Sequence, residues 1–152
     1  MKQPAHYLLL LLFTLTTAVG FSQTGPSIKP RQFSSFPDII NCTEEQLGSI
    51  FNTAPGQAIS LSFSGNFIFS GDVVNNVVKY SNLQTAVIRS AVFDNTIFSI
   101  SKITNKDNSI TYIGRIINKK YFDGYELKKN FSGSYQLVKM ETDRVIEDCS
   151  QQ

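Results

Sequence analysis

The sequence lacks the residues on which most small enzymes and metalloproteins depend. It has no tryptophan and a single histidine, His6, which lies in the segment assigned below to an export signal. Without histidine, the rest of the chain cannot build a Ser-His-Asp or Cys-His catalytic site in the usual form, nor a histidine-based zinc or iron site. Two cysteines are too few for a four-cysteine zinc site or an iron–sulfur cluster. We therefore predict no catalytic, cofactor-binding or metal-binding residues.

The first 22 residues have the order of a secretory signal peptide. Lys2 supplies positive charge, a largely apolar run extends from Tyr7 to Val19, and small residues flank Phe21 before Gln23. The run is shorter than the roughly 20 residues that span a bilayer; an uncleaved N-terminal anchor is the alternative. We expect residues 1–22 to be a signal peptide, the protein to be secreted or periplasmic, and no membrane span to remain after cleavage.

About 130 residues follow the signal, which is the size of one ordinary domain. Residues 23–37 contain Gly25, Pro26, Pro30 and Pro37 among polar side chains, a composition that indicates a flexible leader. Residues 38–152 are then predicted to form a single β-rich domain.

The two cysteines lie near the two ends of this domain, at Cys42 and Cys149. An even number of cysteines in an exported protein predicts a disulfide. Closing a loop on the order of 100 residues would stabilise the fold by roughly 4–5 kcal/mol in the chain-entropy model. Free thiols or intermolecular pairing are the alternatives.

Basic and acidic side chains nearly balance. Removing Lys2 from the 14 basic residues leaves 13 against 12 acidic ones, and a net charge near +1 argues against a dedicated nucleic-acid-binding protein. The basic residues of the second half could form a face for an anionic partner, but solvated positions that protect sheet edges are the favoured interpretation. These residues are Lys102, Lys106, Arg115, Lys119, Lys120, Lys128, Lys129 and Lys139.

A short helix is predicted directly after Cys42. Thr43 and Gln46 have the spacing of a capping box, and Glu44 and Glu45 lie where the helix dipole favours negative charge. Leu47, Ile50 and Phe51 then follow at helical spacing, and the helix should stop before Pro55.

From Gln57 onward the apolar residues recur at every second position, which indicates strands. A two-residue hairpin at Gly65-Asn66 would mix the two faces of the first strand pair. We therefore predict one long strand, bent at Gly65 and ended by a turn at Ser70-Gly71-Asp72. On that strand five apolar residues share a face: Ile59, Leu61, Phe63, Phe67 and Phe69.

Polar turn clusters separate the remaining predicted strands. Turns are expected at Asp94-Asn95, at residues 106–109, at Asp123-Gly124, and at residues 131–133, where Phe131 should face the core. Val73 to Tyr80 favours a strand over a helix because four of its residues are valines. The whole pattern predicts an antiparallel β-sandwich or small barrel with one short N-terminal helix.

Three functions are compatible with these features. The first, which we favour, is a non-enzymatic module that binds a protein partner at the cell envelope or outside the cell. The second is a carrier of a small apolar ligand, with an interior lined by Phe63, Phe67, Phe69, Phe98 and Ile100. A filled core explains those residues better, because small barrels are packed with side chains.

The third function is a hydrolase that works with paired carboxylates and needs no histidine. Nothing in the spacing of its acidic residues marks a pair. The candidates are Asp94, Asp123, Glu126 and Glu141.

Overall fold

The computed structural model describes residues 29–63 and 66–142, so the predicted signal peptide and Cys149 lie outside the described residues. The helix α1 covers Glu44–Phe51. The strands are β1 (Ile39–Cys42), β2 (Ala58–Ser62), β3 (Ile68–Tyr80), β4 (Leu83–Ser90), β5 (Ile97–Thr104), β6 (Ile110–Ile117), β7 (Asp123–Lys129) and β8 (Tyr135–Glu141). Within these described ranges, no helix has the length and apolar character needed to cross a membrane.

All eight strands form a single antiparallel sheet in the order β1-β8-β7-β6-β5-β4-β3-β2. The sheet curls into a half-barrel, and the short strands β1 and β2 are its two edges. This confirms the predicted fold class, a mainly β antiparallel structure with one short helix.

Side-chain alternation divides the sheet into an inner and an outer face. Directly opposed residues of neighbouring strands lie on the same face, so a row can be followed across the sheet. One inner row contains Ala86, Ile100, Gly114, Leu127, Leu137 and Ile40. Its five side-chain-bearing members are almost completely buried, so this row forms the middle of the core.

The helix α1 packs on the inner face at one end of the strands. The predicted capping box is present, because Thr43 Oγ1 accepts from the Gln46 amide at 3.1 Å and Gln46 Oε1 accepts from the Thr43 amide at 2.8 Å. Leu47, Ile50 and Phe51 are buried as the spacing predicted. At the other end of the helix, the side chain of Asn76 donates to the carbonyl of Phe51 at 3.0 Å. This bond satisfies one of the last carbonyls of the helix, which have no partner within the helix.

Residues 30–37, called here the N-terminal segment, pack at the opposite end of the strands. Phe33 is completely buried and contacts the rings of Phe67, Phe93 and Tyr125 edge-on, with centroids 5.2–6.0 Å apart. The Phe122 amide donates to the carbonyl of Pro30 at 2.9 Å. The second half of the predicted flexible leader is therefore part of the packed fold.

The long bent strand predicted from Gln57 to Phe69 is wrong. The structure has a hairpin in which β2 pairs with β3, so that Leu61 lies opposite Phe69. The Phe63 amide donates to the carbonyl of Phe67 at 3.1 Å, so three residues separate this pair. Compared with a two-residue turn, this loop shifts the pairing by one position, and all the apolar residues then share one face.

The turn predicted at Ser70-Gly71-Asp72 is also wrong, since these residues lie inside β3. Gly71 is required there by a close approach of two strands. A Cβ at this position would lie 2.0 Å from the carbonyl oxygen of Arg89, so no other residue fits without moving the backbone.

Two further predictions fail at the two ends of β7. Asp123 and Gly124 begin this strand and do not form a turn. The turn at residues 131–133 exists, but Phe131 is fully exposed and does not face the core. The predicted turns at Asp94-Asn95 and residues 106–109 are confirmed, with Asn95 and Asn108 in the left-handed region.

Candidate interaction surface

The inner face of the sheet is filled by side chains. The five residues proposed to line a carrier's interior are at most 4% exposed. Their rings contact one another: the centroids of Phe69 and Phe98 are 5.8 Å apart, and those of Phe63 and Phe67 are 6.2 Å apart. These rings occupy the space that a small apolar ligand would need.

Two of the four candidate acidic residues are brought together by the sheet. Asp123 and Glu141 are directly opposed on β7 and β8. Asp123 is completely buried, and its carboxylate accepts from the amides of Gln32 at 2.6 Å and Phe33 at 2.9 Å. Glu141 lies 3.9 Å from the guanidinium of Arg31. Asp123 therefore holds the N-terminal segment in place, and Glu141 adds a long, partly exposed ion pair to it.

The other two candidates lie apart from this pair. Asp94 is in the turn between β4 and β5 and accepts from the side chain of Asn95 at 2.7 Å. Glu126 lies on the outer face, 3.0 Å from both Lys128 Nζ and Arg115 Nη2. Hydrogen bonds from Lys128 and Arg115 lower the pKa of Glu126, so it is an anion at neutral pH and is poorly suited to donate a proton. Among the described residues, no group of three potential metal ligands lies together.

Cys42 is the last residue of β1 and is only 6% exposed. Burial raises the pKa of its thiol from 9.0 to about 12, which leaves it protonated and weakly nucleophilic at neutral pH. Because its predicted partner Cys149 lies outside the described residues, the disulfide stays a prediction.

The pairing register limits how such a disulfide could form. Cys42 pairs with Tyr135 at the start of β8, and Thr142 lies seven residues further along, about 23 Å away at the rise of a strand. Cys149 is seven residues beyond Thr142, and seven extended residues span at most about 25 Å. Because a disulfide itself spans about 5.5 Å between Cα atoms, the bond lies within reach of the chain that follows Thr142.

The basic residues of the second half do not share one surface. Arg115 and Lys128 pair with Glu126 on the outer face. Lys102 lies 5.5 Å from the ring centroid of Phe51, beside α1. Lys139 is bound by Asp38 at 2.9 Å and by the carbonyl of Phe36 at 2.7 Å, at the opposite end of the strands. This distribution favours solvated and paired positions over a single basic face.

The outer face of the central strands is uncharged over a wide area. One row of directly opposed residues on the outer face crosses β3 to β6 and consists of Val77, Thr85, Ser101 and Ile113. The two neighbouring rows contain the opposed pairs Val87–Ser99 and Leu83–Ile103. We call these eight residues the outer patch: Val77, Leu83, Thr85, Val87, Ser99, Ser101, Ile103 and Ile113.

Charged side chains begin where the outer patch ends. Arg115 lies opposite Ser99 and forms an ion pair with Glu126, which is also paired with Lys128. An open groove of about 620 Å³ runs along this border, with Ser99, Ser101 and Ile113 on one side and Glu126 and Lys128 on the other. The patch is thus uncharged throughout, with the hydroxyls of Thr85 and Ser101 between Val77 and Ile113, and it is bordered by charged side chains. Depletion of charged residues at the centre is a property of protein–protein interfaces.

The alternation of the strands does not by itself reveal this surface, because it predicts which residues face the core and not which outward residues become neighbours. The available signal is the absence of Lys, Arg, Asp and Glu from two sets of outward positions, Leu83, Thr85 and Val87 of β4 and Ile97, Ser99, Ser101 and Ile103 of β5. Solvent-facing strand positions are usually polar or charged.

The turn between β7 and β8 is the second exposed feature. Asn130 Oδ1 accepts from the amides of Ser132 at 3.0 Å and Ser134 at 2.9 Å, and from Ser132 Oγ at 2.7 Å. The Asn130 amide donates to the carbonyl of Ser134 at 2.8 Å, and Gly133 takes a φ of 88°. This tightly bonded turn holds Phe131 fully exposed to solvent.

Comparison of the chain with protein-family models, with curated proteins and with solved structures finds no match in any of the three. The functional assignment therefore rests on the residues and geometry described above.

Proposed function

We propose that this protein is an exported, non-enzymatic domain that binds a protein partner through the outer patch. One observation carries the proposal: four neighbouring strands present a continuous uncharged surface to solvent. Val77 and Ile113, at its two sides, are 45% and 51% exposed. Contiguous exposed apolar surface on a small domain commonly marks an interaction site.

The shape of the sheet indicates what kind of partner fits. The outer face of a curled sheet is convex, so two copies placed face to face would touch along a narrow strip. A concave partner surface would cover more of the patch. Its serine and threonine hydroxyls can each donate and accept hydrogen bonds, which suits a partner that offers backbone groups as well as apolar side chains.

The packing of the inner face and the partners of the acidic residues support this proposal over the alternatives. A carrier needs an interior that the buried phenylalanines already fill. A carboxylate hydrolase needs two acids facing a cleft, whereas the opposed pair, Asp123 and Glu141, is used to hold the N-terminal segment.

Affinity capture with matched variants tests the proposal. Tagged residues 23–152 would be incubated with the envelope and medium fractions of the native cell. The double variant Val77→Lys/Ile113→Lys places two charges on the outer patch and should lose at least nine-tenths of the captured protein. Exposed substitutions of this kind change stability by only about 0.5 kcal/mol, so the loss would reflect the surface.

The control is Ile39→Lys, on the edge strand β1, where the side chain is 54% exposed. This variant should capture the same protein in the same amount as the unmodified chain. Equal loss in both variants, or capture that neither variant changes, would contradict the proposal. A co-purifying small apolar molecule in place of a protein would support the carrier.

A further inference from the structure

Three hairpin turns lie at the same end of the sheet. Each strand is antiparallel to its neighbours, so the turns that follow β3, β5 and β7 share one end, while those that follow β4 and β6 share the other. The first three turns, residues 81–82, 105–109 and 130–134, are called here the tips. They lie at the end opposite to the N-terminal segment, which is bonded to Phe122 and Asp123 at the start of β7.

Each tip carries a large apolar side chain in solvent. Tyr80, directly before the first tip, is 69% exposed, and Ile110, directly after the second, is 38% exposed. Phe131 in the third tip is fully exposed. Tyr80 lies on β3 and Ile110 on β6, and three strand spacings separate these strands by about 14 Å. The apolar side chains are thus spread along one rim of the sheet.

The polar groups of the tips are bonded within the turns. In the second tip, Asp107 Oδ1 accepts from the Ser109 amide at 3.0 Å and from its hydroxyl at 2.6 Å. In the third, Asn130 Oδ1 accepts from three donors of the same turn. A polar group that leaves water without a partner costs free energy, so these bonds lower the cost of moving a tip into a partly dehydrated layer.

Positive charge is concentrated on the first two tips. Residues 78–83 and 102–110 contain three basic side chains and a single acidic one, Asp107. None of the three forms an ion pair with a described residue; they are Lys79, Lys102 and Lys106. The acidic first turn of α1, Glu44 and Glu45, lies beside the third tip, where Lys129 is 3.8 Å from Glu44.

We infer that the tips dock this protein on the surface of an anionic lipid membrane, with Tyr80 and Phe131 in the interfacial layer and Lys79 and Lys106 at the headgroups. Aromatic rings favour that layer, and cations are attracted to anionic lipids. A protein would need a separate pocket for each tip, whereas the deformable headgroup layer accepts all three. The tips are distinct from the outer patch, so the inference does not rest on the proposed function.

Tryptophan fluorescence tests the orientation, because the chain has no tryptophan of its own. Residues 23–152 are used, since the apolar run of the predicted signal would itself bind lipid. With vesicles of phosphatidylcholine containing about one-third phosphatidylglycerol, emission of Tyr80→Trp and Phe131→Trp should shift to shorter wavelength and resist a water-soluble quencher. Val92→Trp, at an exposed position in the β4–β5 turn of the opposite end, should do neither.

Vesicle co-sedimentation measures the contribution of the two lysines. Lys79→Gln/Lys106→Gln should weaken binding to the anionic vesicles about 25-fold, because each cation near an anionic membrane surface contributes about five-fold to the affinity. Lys119→Gln/Lys120→Gln is the matched control. It removes two exposed cations from the opposite end and should leave the affinity unchanged.

The same measurement separates the rings from the charges. Tyr80→Ser/Phe131→Ser should weaken binding at least about tenfold, the loss expected when even one large apolar side chain is no longer buried. Ile68→Ser/Val92→Ser removes two exposed apolar side chains from the opposite end and should have no effect.

Three results would overturn the inference. The first is an unmodified chain that does not bind the anionic vesicles. The second is an equal response at the two ends, in fluorescence or in affinity, because general attraction to lipid would explain it. The third is loss of a captured protein in Tyr80→Ser/Phe131→Ser without vesicle binding, which would assign the tips to a protein. Val77→Lys/Ile113→Lys should keep vesicle binding, so failure of the outer patch and failure of the tips are distinguishable.

Discussion

Two elements of different kinds cover the opposite ends of the curled sheet. The helix α1 is held by its own capping box and by three apolar side chains at helical spacing. The N-terminal segment has no helix or strand and is held by groups from distant strands. Asp123 binds two of its amides, Tyr125 Oη donates to the carbonyl of Pro37 at 2.7 Å, and Lys139 binds Phe36 and Asp38. The first turn of α1 is organised locally, whereas the last turn of α1 also uses Asn76 and Gln84 of the sheet. The N-terminal segment depends on the sheet throughout its length.

This difference predicts where the fold is most vulnerable. The hydrogen bonds of the capping box join residues three positions apart and can form in the unfolded chain whenever it makes a helical turn. The hydrogen bonds from the N-terminal segment to β7 and β8 exist only when the whole sheet is assembled. Substitutions at the N-terminal end should therefore affect global stability more than equivalent substitutions at the α1 end.

The largest effect is expected for Phe33→Ala. Its ring is completely buried among four other aromatic rings, and removing such a ring costs about 3–5 kcal/mol. Urea unfolding followed by circular dichroism measures the change. Phe131→Ala is the control and should stay within about 0.5 kcal/mol because the ring is exposed. A small loss at Phe33 would mean that the N-terminal segment is not anchored by packing.

Asp123→Asn should lower stability by about 1.5–3 kcal/mol, because one amide of the N-terminal segment loses its charged acceptor and is left unsatisfied. Hydrogen exchange of the Gln32 and Phe33 amides should accelerate in the same variant, while that of Leu47 in α1 changes only with global stability. Asp94→Asn, in an exposed turn, is the matched control. Identical losses in both variants would show that the buried position of Asp123 contributes nothing.

The free energy of unfolding should depend on pH because of the buried Cys42 thiol, which lies at the α1 end. The unfolded thiol loses its proton near pH 9.0, whereas the buried one keeps it until about pH 12. Between these values the unfolded state binds fewer protons, so stability falls as pH rises, by about 1.4 kcal/mol per unit. Below pH 9 this contribution is fully present.

Urea unfolding at pH 8.5 and pH 10 measures this effect, with Cys42→Ala as the variant that should flatten the curve. Comparison of reduced and oxidised samples also tests the predicted disulfide. A Cys42–Cys149 bond removes the thiol, so the oxidised chain should lack this dependence and regain it in reductant. If the free energy of unfolding depends on pH in the same way in Cys42→Ala, the titrating group is not Cys42. Tyr112, beside α1, is another candidate, because burial raises its pKa as well.

The smallest effect is expected for Thr43→Ala, which removes the side-chain acceptor of the capping box. Loss of such a cap costs about 1 kcal/mol. Thr53→Ala is the control at the other end of α1, where the hydroxyl donates to the carbonyl of Ser49 at 3.1 Å and should matter less. A loss at Thr43 equal to that at Phe33 would remove the distinction between the two ends.

The parts of the fold that were predicted correctly are those encoded by neighbouring residues. The capping box at Thr43 and the buried stripe of α1 both follow from residues at most eight positions apart. The turns at Asn95 and Asn108 place asparagine where a left-handed backbone is needed, and asparagine tolerates this conformation better than most residues. In each case the bonding partner lies within the same turn.

The errors concern residues whose environment is set across the sheet. The hairpin between β2 and β3 depends on a loop length that alternation alone does not specify, and one extra position reverses which face is buried. Asp123-Gly124 has the composition of a turn, yet Asp123 is buried because two amides 90 and 91 residues earlier in the chain point at it. Phe131 was assigned to the core because it is aromatic, although its turn projects it away.

The candidate surfaces follow the same division. The sequence by itself determined the alternating strands and the helix α1, because each depends on short spacing. The tertiary structure decided that the outward positions of β3 to β6 join into one uncharged patch and that Tyr80, Ile110 and Phe131 lie along one rim of the sheet. Both depend on the register of strands far apart in sequence, and that register is set by how the whole apolar face is buried.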